Sequence, residues 1–545
     1  MIGSFVVKIC KNVLEIFSIK VTLVRLAAMN INPCGVITIQ ERSRGALLRV
    51  HLLFLLIKTW CIEESFRTKK TLVMVSVDFS KAFDSVDRGK LVEVLVDGGC
   101  NGDLIDIITR LYSGDCTQVF CEGDGIGGVE VTTGIRQGCT GSPLLFLMVI
   151  NIIIEKLCNT GMGYRDDQFY IPTVFYADDG LMLARSRSEA EKMMNVLREV
   201  ALECGLEINN GKSQCVVYCG RRNWEKFGHI DGIRVTNQMK YLGTVVNDGR
   251  GYFRLHRKNK IQLGEKMSNM AYSVIARSCS RVVIGKAYWK NVVLPSVLSG
   301  SAMILWTVEE LKMLQRLDNR VWRCIFGAPS FTPVRALQGE IGASSAESRD
   351  MKVKLGFVRH IFNCNNGLAR GILLHRLVEQ GNGRWISTIR GMCEKLGMVK
   401  VSDVGDLSGD QIKKRINTYE EEKWRKEIEG KSSLSVYGSK EGIREETFYF
   451  NDEASKILFR ARTNTLALGW RGEFVGDGTE CKLCRPPVVE TLKHFVLECS
   501  YLRDTREKFG ISEDDSLESV LLFEGGGQSR ADRSKAYLLE IWKRR

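Results

Sequence analysis

Two aspartates stand side by side at the end of an apolar run, Phe175-Tyr176-Ala177-Asp178-Asp179-Gly180. That pair limits what the chain can fold into more than any other feature. Residues 173–184 read as two short strands closing on an Asp-Asp-Gly turn. Asp-Gly by itself is ordinary turn chemistry. Two adjacent carboxylates beside buried strands repel, and the arrangement is costly unless a cation joins them. A third carboxylate sharpens the reading. Asp78 ends the β-rich apolar run 71–78, which reads as a buried strand. If the strands are neighbours, Asp78 meets Asp178 and Asp179 at one edge of a sheet. Hard oxygen ligands of this kind suit Mg²⁺, with Mn²⁺ a substitute. Two such ions about 3.5–4 Å apart can clamp an attacking 3′ oxygen and a leaving pyrophosphate.

The surrounding pattern sets the fold class. Over residues 71–246 short β-type runs alternate with helical spacing at Leu104–Tyr112 and Ser188–Cys204, and no Gly-rich phosphate loop interrupts them. This predicts an α+β domain rather than a dinucleotide-binding unit. Residues 261–375 turn helical and basic, and Ile412–Gly430 is a charged run that predicts a solvated or strand-tracking helix. The 545 residues carry a formal net charge of +14, which points to an anionic partner such as nucleic acid. Eighteen cysteines lack a framework spacing through most of the chain. They read as reduced thiols, which predicts a nuclear or cytoplasmic rather than a secreted protein. The longest strongly apolar run, Ala46–Ile57, is broken by Arg49 and His51, so no membrane span is expected. The first 28 residues set Lys8, Lys11, Lys20 and Arg25 against Glu15 alone. That balance suits a transit peptide or a start within a domain, and the second is expected.

A second constellation lies near the C-terminus. Cys481 and Cys484 are followed by His494 and Cys499. Four soft or borderline ligands at this spacing predict a structural, tetrahedral Zn²⁺ site. The alternative for Cys-x-x-Cys is a redox pair, but no thioredoxin-like strand and helix surround it.

Five segments, in order, resemble the motifs of non-LTR (LINE-like) retrotransposon reverse transcriptases. They are Val77-Asp78-Phe79-Ser80-Lys81-Ala82-Phe83-Asp84, Gly134–Leu144 with its core Arg136-Gln137-Gly138-Cys139, Phe175–Asp179, Gly205-Leu206-Glu207-Ile208-Asn209 with Lys212, and Tyr241-Leu242-Gly243. The resemblance implies a right-hand polymerase palm with incomplete fingers, a helical thumb and a small zinc module. It implies that Asp78, Asp178 and Asp179 hold two Mg²⁺ ions, with the Phe79 carbonyl an added ligand. Phe83 would crowd a 2′-hydroxyl, with a plain core aromatic its alternative. Gln137 and Gly138 would line the nascent base pair and Arg136 would contact phosphate or template. Lys212 would be a general acid toward pyrophosphate, with plain surface exposure its alternative. Tyr241, Leu242 and Gly243 would grip the primer. The Cys481, Cys484, His494, Cys499 set resembles the family's Cys-Cys-His-Cys module, which would hold RNA template or target DNA.

The expected organisation is an N-terminal segment 1–39, fingers and palm 40–248, a thumb-like region 249–375, a basic helical linker 376–459, a zinc module 460–510 and a tail 511–545. Gln40–Lys58 matches the fingers weakly, so a triphosphate-binding arginine has no assignment and the element is expected to be truncated. No endonuclease or ribonuclease H pattern is apparent. The implied activity is RNA-directed DNA polymerisation from dNTPs on a primed RNA template. The alternative is a nucleic-acid-binding relic of such an enzyme. A group II intron maturase and a nucleotide cyclase fit less well, the first on Arg136–Cys139, the second because it needs neither that motif nor the zinc set.

Overall fold

The computed structural model describes residues 44–545 except 122–123, 167, 219–227, 279, 365–366, 379–382, 470–478, 485–487, 513 and 525–526. The readings on the cationic start and on Gln40 lie outside the described residues. Contacts divide the chain into two units. One runs to His256 and includes His360–Gly383; the other joins Arg257–Arg359 to Arg384–Arg545.

The first unit is α+β, as the alternating pattern predicts. Four antiparallel strands form its sheet: β1 (Leu72–Val77), β2 (Thr173–Tyr176), β3 (Asp179–Ala184) and β4 (Gln214–Tyr218), in the order β4-β1-β3-β2. β1 is central, with Ser76 opposite Gln214 on one side and Val77 opposite Gly180 on the other. Its sequence, Leu-Val-Met-Val-Ser-Val, is apolar almost throughout because both faces are covered. Val73, Val75 and Val77 pack into a core with α2 (Ser142–Asn159) and α3 (Arg187–Glu203), through Phe146, Val149, Ile150, Ile153, Met193 and Leu197. α1 (Arg44–Thr68) covers the opposite face, where Phe54 meets Tyr176 and Phe66 meets Tyr218 edge-on. Leu52–Ile62 is buried all round, since the helix Gly367–Val378 lies against α1 and Arg376 pairs with Glu63 at 3.1 Å.

Among the described residues, α2 alone is long and apolar enough to cross a membrane by length and composition. This corrects the sequence reading, which placed the strongest apolar run at Ala46–Ile57. In the fold α2 is a core helix: Phe146, Val149, Ile150, Ile153, Ile154 and Leu157 are fully buried.

The segment entering α2 is pinned to the segment leaving β1. Gly134 N–H donates to the Val86 carbonyl at 2.8 Å, and Ile135 N–H to the Phe83 carbonyl at 2.8 Å. Gly134 has φ +81°, and a Cβ there would lie 2.5 Å from the Asp84 carbonyl oxygen. Only glycine satisfies both the backbone angle and the close approach.

The second unit is helical. α4 (Val308–Phe326) starts with a Thr307–Glu310 capping box and stops at Gly327, φ +60°. With α5 (Val334–Ile341), α6 (Gly409–Glu429), α7 (Glu453–Arg462) and α8 (Gln528–Arg544) it encloses one apolar core containing Trp322, Trp424, Tyr437, Phe459 and Tyr537. α6 carries the charged run anticipated from sequence. It buries Ile412, Ile416, Trp424 and Ile428 along one stripe together with Glu420, which accepts from Gln338 Nε2 at 2.9 Å, and most of its other charges face outward. Inside this core Arg462 is fully buried. It pairs with Glu340 at 3.0 Å and Glu446 at 2.9 Å, between the Phe448 and Phe523 rings. Residues 511–545, a tail in the sequence reading, hold α8, whose Tyr537 hydroxyl donates to the Val496 carbonyl.

Gly134 and Gly138 separate backbone strain from close packing. Gly138 has φ +82° with nothing within 4 Å of an added Cβ. Gly138→Ala is expected to cost about 1 kcal/mol, and Gly134→Ala about 2–3 kcal/mol or more because the Asp84 backbone must also move. Urea unfolding of the two variants checks this; equal costs would mean that the approach to Asp84 is not a constraint.

Candidate active site

Asp78 follows the last residue of β1, and Asp178 and Asp179 lie at the turn joining β2 to β3. Because Val77 lies opposite Gly180 in antiparallel register, the next residue of β1 comes level with Asp179. Ala177 closes the turn at φ +54°, a strained angle for a residue with a Cβ. The turn exposes Asp178 and leaves Asp179 half-buried. Burial, then Asp178, then Asp78 push the Asp179 carboxyl up to about 6. One oxygen of Asp78, Oδ2, is enclosed and has no hydrogen-bond partner; Lys212 Nζ stands 3.9 Å from it. An orphaned carboxylate oxygen, a carboxyl pushed up by burial and by its neighbours, and an exposed third carboxylate together make a hard-oxygen donor set that fits a divalent cation.

The other residues singled out from sequence fall around this edge. Phe79 is buried, its ring parallel to Phe175 at 6.4 Å. Phe83 is half-buried and stacks on Phe146 at 4.6 Å. Gln137 Nε2 donates to Asp84 Oδ1 at 2.8 Å. Arg136 is held by Asp115 at 2.9 Å, and Arg88 also pairs with Asp115 at 3.1 Å. Arg88 additionally donates to the Gly134, Tyr112 and Val131 carbonyls. Asp115 and Arg88 were not anticipated from the sequence, because the ion pairs join segments more than twenty residues apart.

Tyr241, Leu242 and Gly243 sit at the turn between β5 (Gln238–Tyr241) and β6 (Thr244–Asn247). Leu242 has φ +46° and Gly243 φ +69°, as a two-residue hairpin turn requires. Tyr241 is buried, and its hydroxyl donates to the Asp179 carbonyl at 3.2 Å. Lys58, on α1, lies fully buried with Nζ 5.5 Å from the Tyr241 ring centre. Nothing in its sequence setting distinguishes it from the other residues of an apolar helix.

The Cys/His set is in the second unit. The ligand atoms of Cys481, Cys484, His494 and Cys499 all lie within 4.8 Å of one another. Cys481 and Cys499 sulfurs are 3.9 Å apart, and Cys484 Sγ is 3.4 Å from His494 Nε2. A tetrahedron with Zn–S near 2.3 Å has edges of about 3.8 Å, so these spacings fit the ion. Cys481, Phe495, Val496, Leu497 and Cys499 share the core of the second unit rather than forming one of their own.

Residues 22–246 match the family described as reverse transcriptase (RNA-dependent DNA polymerase). The chain is 27% identical over 199 residues to the Pol polyprotein of the type-1 retrotransposable element R2 of Bradysia coprophila, an alignment covering 34% of this chain and 23% of that protein. It is 21% identical over 511 residues to the 115 kDa protein of the type-1 retrotransposable element R1DM of Drosophila melanogaster, covering 89% of this chain and 46% of that one. The chain carries a reverse transcriptase domain of the non-LTR, LINE-like kind. It spans less than half the length of these relatives. Among solved structures, apo telomerase from Candida tropicalis aligns at 12% identity with a TM-score of 0.32, over 66% of this chain and 60% of that one.

The like-charge cluster of the reverse transcriptase domain makes stability depend on pH. Asp179 titrates near 3.8 in the unfolded chain and near 6 in the folded one. The folded state therefore holds the proton more tightly, and this contribution to stability is complete below about pH 4 and is lost as pH rises through 6. Without divalent cation, Asp179→Asn is expected to be more stable than the parent at pH 7.5 and to differ little at pH 4.5. Urea midpoints at the two values, with and without Mg²⁺, check this; equal gains at both would remove Asp179 as the source.

Proposed function

We propose that this chain is an RNA-directed DNA polymerase of a non-LTR retrotransposon, adding dNTPs to a primer 3′-hydroxyl on an RNA template. The observation that carries the reading is the level placement of Asp78 and Asp179 beside Asp178, with an orphaned Asp78 oxygen and a carboxyl at Asp179 pushed up to about 6. In this reading residues 40–248, joined by His360–Gly383, are fingers and palm, and most of the thumb that starts at 249, the basic helices up to 459, the zinc module 460–510 and the C-terminal element 511–545 belong to the helical second unit. Bound at Asp78, Asp178 and Asp179, two Mg²⁺ ions would supply Lewis-acid activation of the 3′ oxygen and charge neutralisation at the leaving pyrophosphate.

The chain's own residues orient the reactants. Phe83, fixed by its stack on Phe146, presents a flat face to the sugar of an incoming nucleotide and crowds a 2′-hydroxyl. Gly138 leaves open space where a base pair can approach the backbone. Gln137, tied to Asp84, borders that space. Arg136 offers the remaining donors of its guanidinium to phosphate. Lys212, largely exposed and 3.9 Å from Asp78, can pass a proton to pyrophosphate. The Leu242-Gly243 turn, anchored under Asp179 by Tyr241, supports the primer end.

Asp178 lies exposed at the turn, so Asp178→Asn should fold normally while primer extension on RNA falls by about 10³-fold or more. Retained extension would overturn the assignment. A parent chain that binds primed RNA without extending it would favour the nucleic-acid-binding relic.

The Cys/His set is proposed to hold one structural Zn²⁺ that braces a surface for template RNA or target DNA. Burial and Cys481 push the Cys499 thiol up to about 12, and Cys484 is also raised, so the free cluster holds protons that metal must displace. Metal analysis of the full chain should give one zinc per molecule, lost on acidification and in Cys484→Ser. Because the ligands share the core of the second unit, chelation should also lower the thermal midpoint; a metal-free chain with unchanged melting would reject the site.

A further inference from the structure

Asp78 leaves β1 in a gap between two ladders. β1 last pairs with β4 at Ser76–Gln214 and with β3 at Val77–Gly180, and a short ladder then begins at Phe79–Ile208. The backbone groups of Asp78 are taken instead by one loop, residues 209–213. Asp78 N–H donates to Ser213 Oγ at 3.1 Å, and Asn209 N–H donates to the Asp78 carbonyl at 2.8 Å.

The same loop is closed on itself by Asn209. Its side-chain Oδ1 accepts from Gly211 N–H and from Lys212 N–H, each at 3.1 Å. Its carbonyl accepts from Lys212 N–H at 3.2 Å and Ser213 N–H at 2.9 Å. Lys212, in the middle of this turn, reaches to 3.9 Å from Asp78 Oδ2. Ser213 is buried, so its hydroxyl has no ready replacement in water.

We propose that Ser213 and Asn209 are positioning residues that fix the Asp78 carboxylate and the Lys212 ammonium as one unit, and so set the affinity of the carboxylate edge for divalent cation. The inference rests on the reading of Asp78, Asp178 and Asp179 as cation ligands. Both backbone anchors of Asp78 and the turn carrying Lys212 come from the same five residues. A rotation of the loop moves the carboxylate and the ammonium together. Ser213 supplies the one anchor made by a side chain, and Asn209 sets the shape of the turn. Neither touches a reacting atom.

The test is Mn²⁺ binding to the full chain, followed by electron paramagnetic resonance, with primer extension against Mg²⁺ concentration as a parallel readout. Ser213→Ala should raise the Mn²⁺ and Mg²⁺ midpoints about tenfold or more, the scale of a lost second-layer hydrogen bond to a metal ligand. Ser213→Thr, which keeps the hydroxyl, should bind close to the parent. Asn209→Ala should raise the midpoints in the same direction and lower the extension rate at saturating Mg²⁺, while Asn209→Asp, which keeps the acceptor, restores the turn. Unchanged midpoints in Ser213→Ala and Asn209→Ala, or equal shifts in Ser213→Ala and Ser213→Thr, overturn this inference alone. If Ser213→Ala fails to fold, Asn209→Ala decides it. A parent chain that binds no Mn²⁺ at the carboxylates overturns the polymerase reading beneath it.

Discussion

Asp179 is half closed to water beside two other carboxylates, and burial, then Asp178 and Asp78, push its carboxyl up to about 6. Repulsion of that kind pushes strand ends apart unless the scaffold resists. The resistance here comes from burial. β1 is covered on one face by α2 and α3 and on the other by α1, so its register cannot slip by a residue without turning Val73, Val75 and Val77 out of their core. The order β4-β1-β3-β2 then brings the end of β1 level with the β2–β3 turn. The sheet is a device for holding like charges together, and the free energy for doing so comes from apolar contacts far from the carboxylates.

That division of labour explains how much of the site was legible in the sequence. That Asp78, Asp178 and Asp179 cluster was readable because each stands at the end of an apolar strand, and strands have a local signature. Ser213 was not, because a hydroxyl accepting from Asp78 N–H becomes visible only when Gln214 is known to lie opposite Ser76, and Asn209, although inside the fourth motif, shows its hold on the turn only in the fold. Arg136 illustrates the same limit. Its motif suggested a phosphate or template contact, and the fold also sets Asp115 against it at 2.9 Å from a segment twenty-one residues away. Tyr241 was read as one of three equal residues. The structure buries it and gives its hydroxyl to Asp179, which leaves Leu242 and Gly243 at the tip of the hairpin.

At the scale of the fold, α3 and α6 were readable from local spacing, and the membership of the cores was not. α1 is buried throughout Leu52–Ile62, and its outer cover, Gly367–Val378, lies about three hundred residues away in sequence. The Cys/His set was expected to stand as a small module of its own, held by metal. Its Phe495, Val496 and Leu497 instead belong to the core that contains Trp322 and Tyr537, and α8 closes over them. A ligand spacing reports the metal geometry; it carries no information about what packs behind the ligands.

Strain falls where these constraints meet. Seven described non-glycine residues have positive φ, and three of them, Lys81, Ala177 and Leu242, lie in the motifs that build the carboxylate edge. Each such residue costs on the order of 1 kcal/mol and persists only where its surroundings over-determine it. For Ala177 the surroundings are the paired residues Tyr176 and Asp179 on either side of the turn. For Leu242 they are Tyr241 opposite Thr244, with the Tyr241 hydroxyl fixed to Asp179. The hydrogen bond from the Tyr241 hydroxyl to the Asp179 carbonyl joins the two strained turns. Glycine at either turn would remove the strain and with it the resistance of that turn to other backbone angles. Keeping a Cβ at Ala177 limits the backbone angles open to the residue before Asp178 and Asp179, and so favours the turn that brings Asp179 level with Asp78.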